Sequence, residues 1–305
     1  MKSDSAGRAG AVGFVGVGAM GAPMARNVLR ARPVVVYDVD AVRTAELATL
    51  GAEVASSLDD VARAAKIVVV MVATPAQLRD VLVSSDGAAS LGTGHTVVVM
   101  SSVGVDAVTS IAEDLRGRGV GVVDAPVTGG VARARSAELT VLAGAATEDL
   151  ARVQPVLDLM SQRVAVCGDK VGDGQAVKLV NQLLCSVHLA AAAEALAFSR
   201  ALGLDPAVVL GAVESGAAAS FMLSDRGPRM LAADEPDVLS AIDIFVKDTS
   251  LVLDAAQHAE AHVPLAGLTS ERFIEARERG WGRRDDSRLI DLYGTTPNLT
   301  KELIS

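Results

Sequence analysis

The sequence predicts an α/β chain: a doubly wound parallel sheet over residues 11–170, then an all-helical domain over 171–305. Two observations carry this. Short apolar runs alternate with helical stretches roughly every 20 to 30 residues up to about residue 170, and the runs are continuous, as in strands covered on both faces. After Val171 no further strand of length is expected, and helical segments follow to Tyr293. Residues 1–10 are polar, Gly/Ser-rich and without an apolar core, and read as a frayed tail.

Taken in order, Ala11–Val17 reads as a buried strand, and a helix follows through about Ala31. Pro33 breaks it, and Val34–Tyr37 is a second strand that closes on Asp38. Ala41–Leu50 is expected helical, Glu53–Ala55 a short strand, Leu58–Ala65 a helix, and Ile67–Val72 a strand. Then come helix Gln77–Val83, strand Thr96–Met100, helix Val105–Arg118 and strand Val120–Val123. Strand Leu139–Ala143 and helix Glu148–Met160 complete the first domain. The second holds helices near Gln175–Leu202, Pro206–Glu214, Phe221–Leu231, Ile244–Ala261, Pro264–Glu278 and Ser287–Tyr293.

Composition narrows the functional classes. Half the residues are hydrophobic but only 3% aromatic, so the core is built of Ala, Val and Leu. A net charge of −9 argues against nucleic-acid or anionic-membrane partners. Any anionic ligand must therefore be held locally, by backbone amides or single cations. The two cysteines, Cys167 and Cys185, have no metal-like spacing, and a cytoplasmic setting is expected. The most membrane-like window, Leu179–Phe198, contains Asn181, Gln182, His188 and Glu194, which fits a buried helix better than a spanning one.

Three stretches carry chemistry. Gly16-Val17-Gly18-Ala19-Met20-Gly21 follows a strand and opens a helix. Its first glycine permits the turn, the second lets a pyrophosphate approach, and the third lets helix and strand pack closely, a Rossmann-type dinucleotide site. Asp38, at the end of the second strand, can bond the adenine ribose hydroxyls and repel a 2′-phosphate, which selects NAD over NADP; Arg43 nearby could meet that phosphate instead. Asp124-Ala125-Pro126-Val127-Thr128-Gly129-Gly130 places two glycines and a hydroxyl where amides can converge on a carboxylate, or forms an ordinary strand-to-helix loop. Lys178, Asn181 and Gln182 share one face at the head of a long Ala/Leu-rich helix, opened by Gly172 and Gly174. They are a solvated helix start or a site. As a site, burial beside a positively charged nicotinamide would lower the lysine's pKa from about 10.4 into the range useful for acid–base catalysis.

Together these stretches resemble the β-hydroxyacid dehydrogenases, a family that includes 3-hydroxyisobutyrate dehydrogenase, tartronate semialdehyde reductase and L-threonate dehydrogenase, with 6-phosphogluconate dehydrogenase more distant. The resemblance spans about Val12 to Leu292 and also rests on Phe245-Val246-Lys247-Asp248 and Asp285-Asp286-Ser287. It implies hydride transfer between a β-carbon hydroxyl of a small 3-hydroxy acid and NAD. Gly16, Gly18, Ala19, Met20 and Gly21 would line the cofactor, with Thr74 and Ser102 flanking its ring; Ser102 stands where the family usually has Thr. Thr128, in place of the commoner Ser, would bind the substrate carboxylate with Gly129 and Gly130. Lys178 would be the acid–base beside Asn181, Lys247 would reach cofactor or substrate, and Asp248 would steady the site. Many members carry Asn-Asn where this chain has Asn181-Gln182, and that departure leans toward the threonate-type branch. An imine reductase usually lacks the lysine, and a non-catalytic dinucleotide-binding protein would not need it. The four histidines, His95, His188, His258 and His262, form no plausible metal set. The apolar helix and the Ala-rich second domain lead to the expectation of a homodimer or homotetramer.

Overall fold

The structure, a computed structural model, describes residues 10–84 and 89–294; the expected tail, apart from Gly10, lies outside them. The chain divides into two compact units, one up to Leu179 and one from Val180.

Among the described residues the first unit holds a nine-stranded, mostly parallel sheet. Six strands, β1 (Val12–Val15), β2 (Val34–Tyr37), β3 (Glu53–Val54), β4 (Ile67–Val70), β5 (Thr96–Val99) and β6 (Gly121–Asp124), lie parallel in the order β3-β2-β1-β4-β5-β6. Side chains alternate across the sheet. Val12 and Phe14 enter one core with Met24 and Val28, whereas Ala11 and Val15 enter the other with Val61 and Val68. Both faces of β1 are therefore buried, and burying a Phe14 or Val15 side chain contributes about 1.5–3 kcal/mol.

The helices on these faces start where the sequence supplies caps. For α3 (Leu58–Ala64), Ser57 accepts from the Asp60 amide, and Asp59 and Asp60 sit at the positive end of the helix. For α4 (Pro75–Arg79), Thr74 accepts from the Gln77 amide and Pro75 fills the first turn. The other helices here are α1 (Gly21–Leu29), α2 (Ala45–Thr49) and α5 (Val105–Arg116).

Beyond β6 the sheet is not wholly parallel. Pro126 interrupts the strand, β7 (Val127–Thr128) resumes it, and β8 (Leu139–Gly144) runs antiparallel to both. The short α6 (Gly130–Ser136) turns the chain between β7 and β8, too tight a connection for a parallel crossover. After α7 (Thr147–Leu157), an unexpected strand β9 (Ser161–Gly168) pairs parallel with β8. As an edge strand it is partly exposed and carries Gln162 and Arg163, so it lacks the apolar run that marks the central strands.

The second unit is helical, and its only bridge among the described residues links Ala241 and Asp285. It comprises most of α8 (Asp173–Ala201), then α9 (Pro206–Val213), α10 (Phe221–Leu231), α11 (Ile242–His258), α12 (Pro264–Ala276) and a 3-10 segment Asp286–Tyr293. By length and composition α8 could cross a membrane. Here Leu189, Ala193 and Leu196 pack into a core with Phe245 and Phe273, whose rings stack at 4.9 Å. Asp285 accepts from Arg229 Nη1 at 2.6 Å, the Leu239 amide at 2.9 Å and Ser287 Oγ at 2.6 Å. Asp286 receives Arg226 Nη2 at 3.0 Å. The Asp-Asp-Ser stretch thus latches the 3-10 segment Asp286–Tyr293 to α10.

Candidate functional site

The glycine-rich turn joins β1 to α1. Gly16 has φ +87°, a left-handed conformation that favours glycine. A Cβ at Gly21 would strike the Gly16 carbonyl, so only glycine lets α1 start this close to the strand. A Cβ at Gly18 would meet only Arg43 Nη1, at 3.2 Å, and otherwise open space. The turn is thus closed on the protein side and open where a pyrophosphate would lie, ahead of a helix N-terminus, which fits a dinucleotide. Ala19 and Met20 complete the turn, Met20 being the residue before α1. Asp38 Oδ2 accepts from the Val17 amide at 2.8 Å and Oδ1 from the Asp40 amide at 2.9 Å. These bonds fix the carboxylate at the end of β2. Arg43 pairs with Asp40 at 3.3 Å.

Thr74 and Ser102 lie just past β4 and β5, on the carboxyl side of the sheet. The Thr74 hydroxyl caps α4. Past β6, Gly129 and Gly130 both have positive φ, 129° and 71°, so the turn after Thr128 requires glycine twice.

Lys178 is buried, with 8% of its surface exposed, and is not a solvated helix start. The turn of α8 before it carries Gln175, which meets Asp124 from the end of β6. Asp124 is fully buried, and its Oδ2 accepts from the amides of Gln175 at 2.8 Å and Gly172 at 3.1 Å. Burial pushes its carboxyl up to about 6, while bonds from Gln175, Gly172 and Gly174 hold it down. The Gln175 amide group, also buried, donates to Asp124 Oδ1 at 2.8 Å and Ser101 O at 3.0 Å, and accepts from the amides of Val103 at 3.0 Å and Gly104 at 3.1 Å. The signal in the sequence was a glutamine set between a glycine pair and a lysine, in Gly-Asp-Gly-Gln-Ala-Val-Lys.

In the second unit, Asn181 Nδ2 donates to Gln182 Oε1 at 2.8 Å and to Cys185 Sγ at 3.5 Å. Gln182 Nε2 donates to Asp248 Oδ2, and Asp248 Oδ1 faces Lys247 Nζ at 2.7 Å. Lys247, expected to reach cofactor or substrate, is thus engaged with its neighbour Asp248. With both Nδ2 hydrogens used, Asn181 keeps its carbonyl oxygen as an acceptor.

Two of the remaining candidates make contacts within the protein. His95 Nε2 lies 2.9 Å from Ala62 O and Nδ1 3.0 Å from Gly92 O. Trp281 is flanked by Arg279 and Arg284, at 5.4 and 5.0 Å from its ring. No group of three or more potential metal ligands occurs among the described residues. A cleft of about 570 Å³ runs along the outer face of α1 past Arg26 and Arg30; it shares Gly18 and Ala19 with the glycine turn but includes neither Lys178 nor Thr128.

Comparisons with known proteins agree with this layout. Residues 11–168 match the NAD binding domain of 6-phosphogluconate dehydrogenase, and residues 172–293 match the NAD-binding domain of NADP-dependent 3-hydroxyisobutyrate dehydrogenase. L-threonate dehydrogenase of Cupriavidus necator is 34% identical over 92% of this chain and 95% of its own. The L-threonate dehydrogenase of Haemophilus influenzae is 35% identical over 92% and 94%. The crystal structure of 3-hydroxyisobutyrate dehydrogenase from Salmonella typhimurium superposes with a TM-score of 0.85 at 34% identity, covering 92% of this chain and 99% of that one. Fold and site together define an oxidoreductase that binds a nicotinamide dinucleotide. The chain belongs to the β-hydroxyacid dehydrogenase family and is an NAD-dependent hydroxy-acid dehydrogenase.

Proposed function

We propose that the substrate is a short, polyhydroxylated carboxylate of the L-threonate type, oxidised with NAD in preference to NADP. The observation that carries this is the Asn181–Gln182–Asp248 array. It holds amide groups at the head of α8, and such groups suit a ligand with several hydroxyls better than one with a methyl branch. The relatives named L-threonate dehydrogenase support the same reading.

A dinucleotide held at the turn of Gly16, Gly18 and Gly21 would supply the hydride acceptor for the hydroxyl-bearing carbon. The chain's part is binding and proton transfer. The Thr128 hydroxyl and the amides of Gly129 and Gly130 hold the substrate carboxylate. Asn181 Oδ1 accepts from a substrate hydroxyl and orients it. Lys178, as the neutral amine, takes the proton of the reacting hydroxyl at Nζ while the carbonyl forms, and returns it in the reverse direction. Lys178 is also what separates this reading from an imine reductase. Asp38 favours the free ribose hydroxyls of NAD. The enzyme acts in the cytoplasm as a homodimer or homotetramer, for which the exposed Val180 and Leu184 of α8 offer an apolar face.

A panel of 3-hydroxyisobutyrate, L-serine, D-glycerate, L-threonate and 6-phosphogluconate, run with NAD and with NADP, tests the proposal. The highest kcat/KM is expected with L-threonate and NAD. Preference for 3-hydroxyisobutyrate contradicts the substrate class, and preference for NADP contradicts the role of Asp38.

A further inference from the structure

The geometry points to Gln175 and Asp124 as positioning residues that set Lys178 against Ser102 and the Thr128 loop. The inference rests on the reading of Lys178 as the acid–base.

Gln175 is one helical turn before Lys178 and only 1% exposed. Its carboxamide brackets Ser102: it donates to the carbonyl of Ser101 on one side and accepts from the amides of Val103 and Gly104 on the other. Its second amide hydrogen goes to Asp124 Oδ1. All four of its hydrogen-bonding positions are used, and each with the right sense. Rotating the amide by half a turn would set its oxygen against the Asp124 carboxylate and its hydrogens against two amide donors, so one orientation is dictated.

Asp124 ends β6 and opens the loop to Thr128. The Ala125 amide ties that loop to Val99 O at 2.8 Å, and Pro126 O receives the Leu142 amide at 2.9 Å. On its other side the carboxylate gathers the Gly172 and Gln175 amides, which fixes the first turn of α8. Gly174 has no freedom here, because a Cβ would fall 2.9 Å from Asp124 Oδ2 and press on Leu142 O. Three pieces with separate roles, the loop at Ser102, the loop at Thr128 and the helical turn carrying Lys178, therefore share one buried knot. Neither knot residue need touch substrate. Each acts through the distance from Lys178 Nζ to the other two pieces.

The test is Gln175→Met, which keeps length and volume and loses the four side-chain bonds, beside Asp124→Asn, which keeps shape and loses acceptors. His95→Leu serves as a control: it also removes buried hydrogen bonds, but at the opposite end of β5. Measurements are kcat, the primary deuterium isotope effect on kcat for substrate labelled at the reacting carbon, NAD affinity by calorimetry, and melting temperature. Gln175→Met is expected to lower kcat about a hundredfold, raise the isotope effect as hydride transfer becomes limiting, and keep NAD affinity. Asp124→Asn should lower kcat in the same way, and it stands in if Gln175→Met does not fold. His95→Leu should lose melting temperature but keep kcat. Wild-type kcat in both knot variants, or an equal loss in the control, overturns the proposal. If the wild type turns over no acid on the panel, the functional reading has failed instead. Crystal structures of the variants then decide this inference: Lys178 Nζ displaced from Thr128 by about 1 Å upholds it, and an unmoved Lys178 overturns it.

Discussion

Asp124 ionises at about pH 6, and its two effects are expected to run in opposite directions. Its folded carboxyl sits at about 6, above the ordinary 3.8, because burial disfavours the charge. The fold therefore favours the neutral acid. That contribution to stability is fully present below about pH 3.8 and is lost as pH rises through about 6, a difference of about 3 kcal/mol. Activity is expected to run the other way, because a protonated carboxyl would point its O–H into a ring of N–H donors. The nearby titrating groups are Asp173, at the start of α8, and Cys167 on β9, whose thiol is pushed up by burial and then by Asp124 and Asp173. The kcat–pH profile should show an acid limb near 6 that is absent from Asp124→Asn. A limb that survives in that variant assigns the titration elsewhere. At Asp38 the expectation is narrower: Asp38→Ala should reduce the ratio of kcat/KM for NAD over NADP by about tenfold, or about 1.4 kcal/mol, measured with both cofactors at one substrate concentration.

The glycine turn is an element whose backbone is fully specified. Gly21→Ala forces a methyl against the Gly16 carbonyl and should abolish NAD binding by calorimetry or lower the melting temperature by several degrees. A variant that binds NAD and melts like the wild type contradicts the close-packing role. This turn, the central strands and α8 were legible in the sequence because each has a local cause: glycines at fixed offsets, continuous Val runs, and an uninterrupted Ala/Leu stretch. β8 and β9 were harder to read. The direction of β8 depends on Pro126 ending one pairing and α6 making a tight return, and β9 at the edge lacks an apolar run. The Gln175–Asp124 knot was hidden for a different reason. It joins residues 51 apart in sequence, and a glutamine between a glycine pair and a lysine does not by itself show that its side chain is buried with all its hydrogen bonds made.

For the whole molecule, charge and surface set the outlook. The chain carries a net charge of −9, and α8 exposes Val180 at 63% and Leu184 at 48%. The proposed homodimer or homotetramer would cover them. Light scattering at micromolar concentration should give a dimer or tetramer, and Val180→Glu with Leu184→Glu should give a monomer; a monomeric wild type contradicts the association. In the proposed mechanism Lys178 moves the proton during NAD-dependent oxidation of a hydroxy acid. The most direct test is kcat/KM of Lys178→Ala on the best substrate of the panel, with NAD affinity measured alongside. A fall of about 10²- to 10⁴-fold with NAD binding retained is expected, and near-wild-type turnover in that variant would overturn the acid–base role of Lys178.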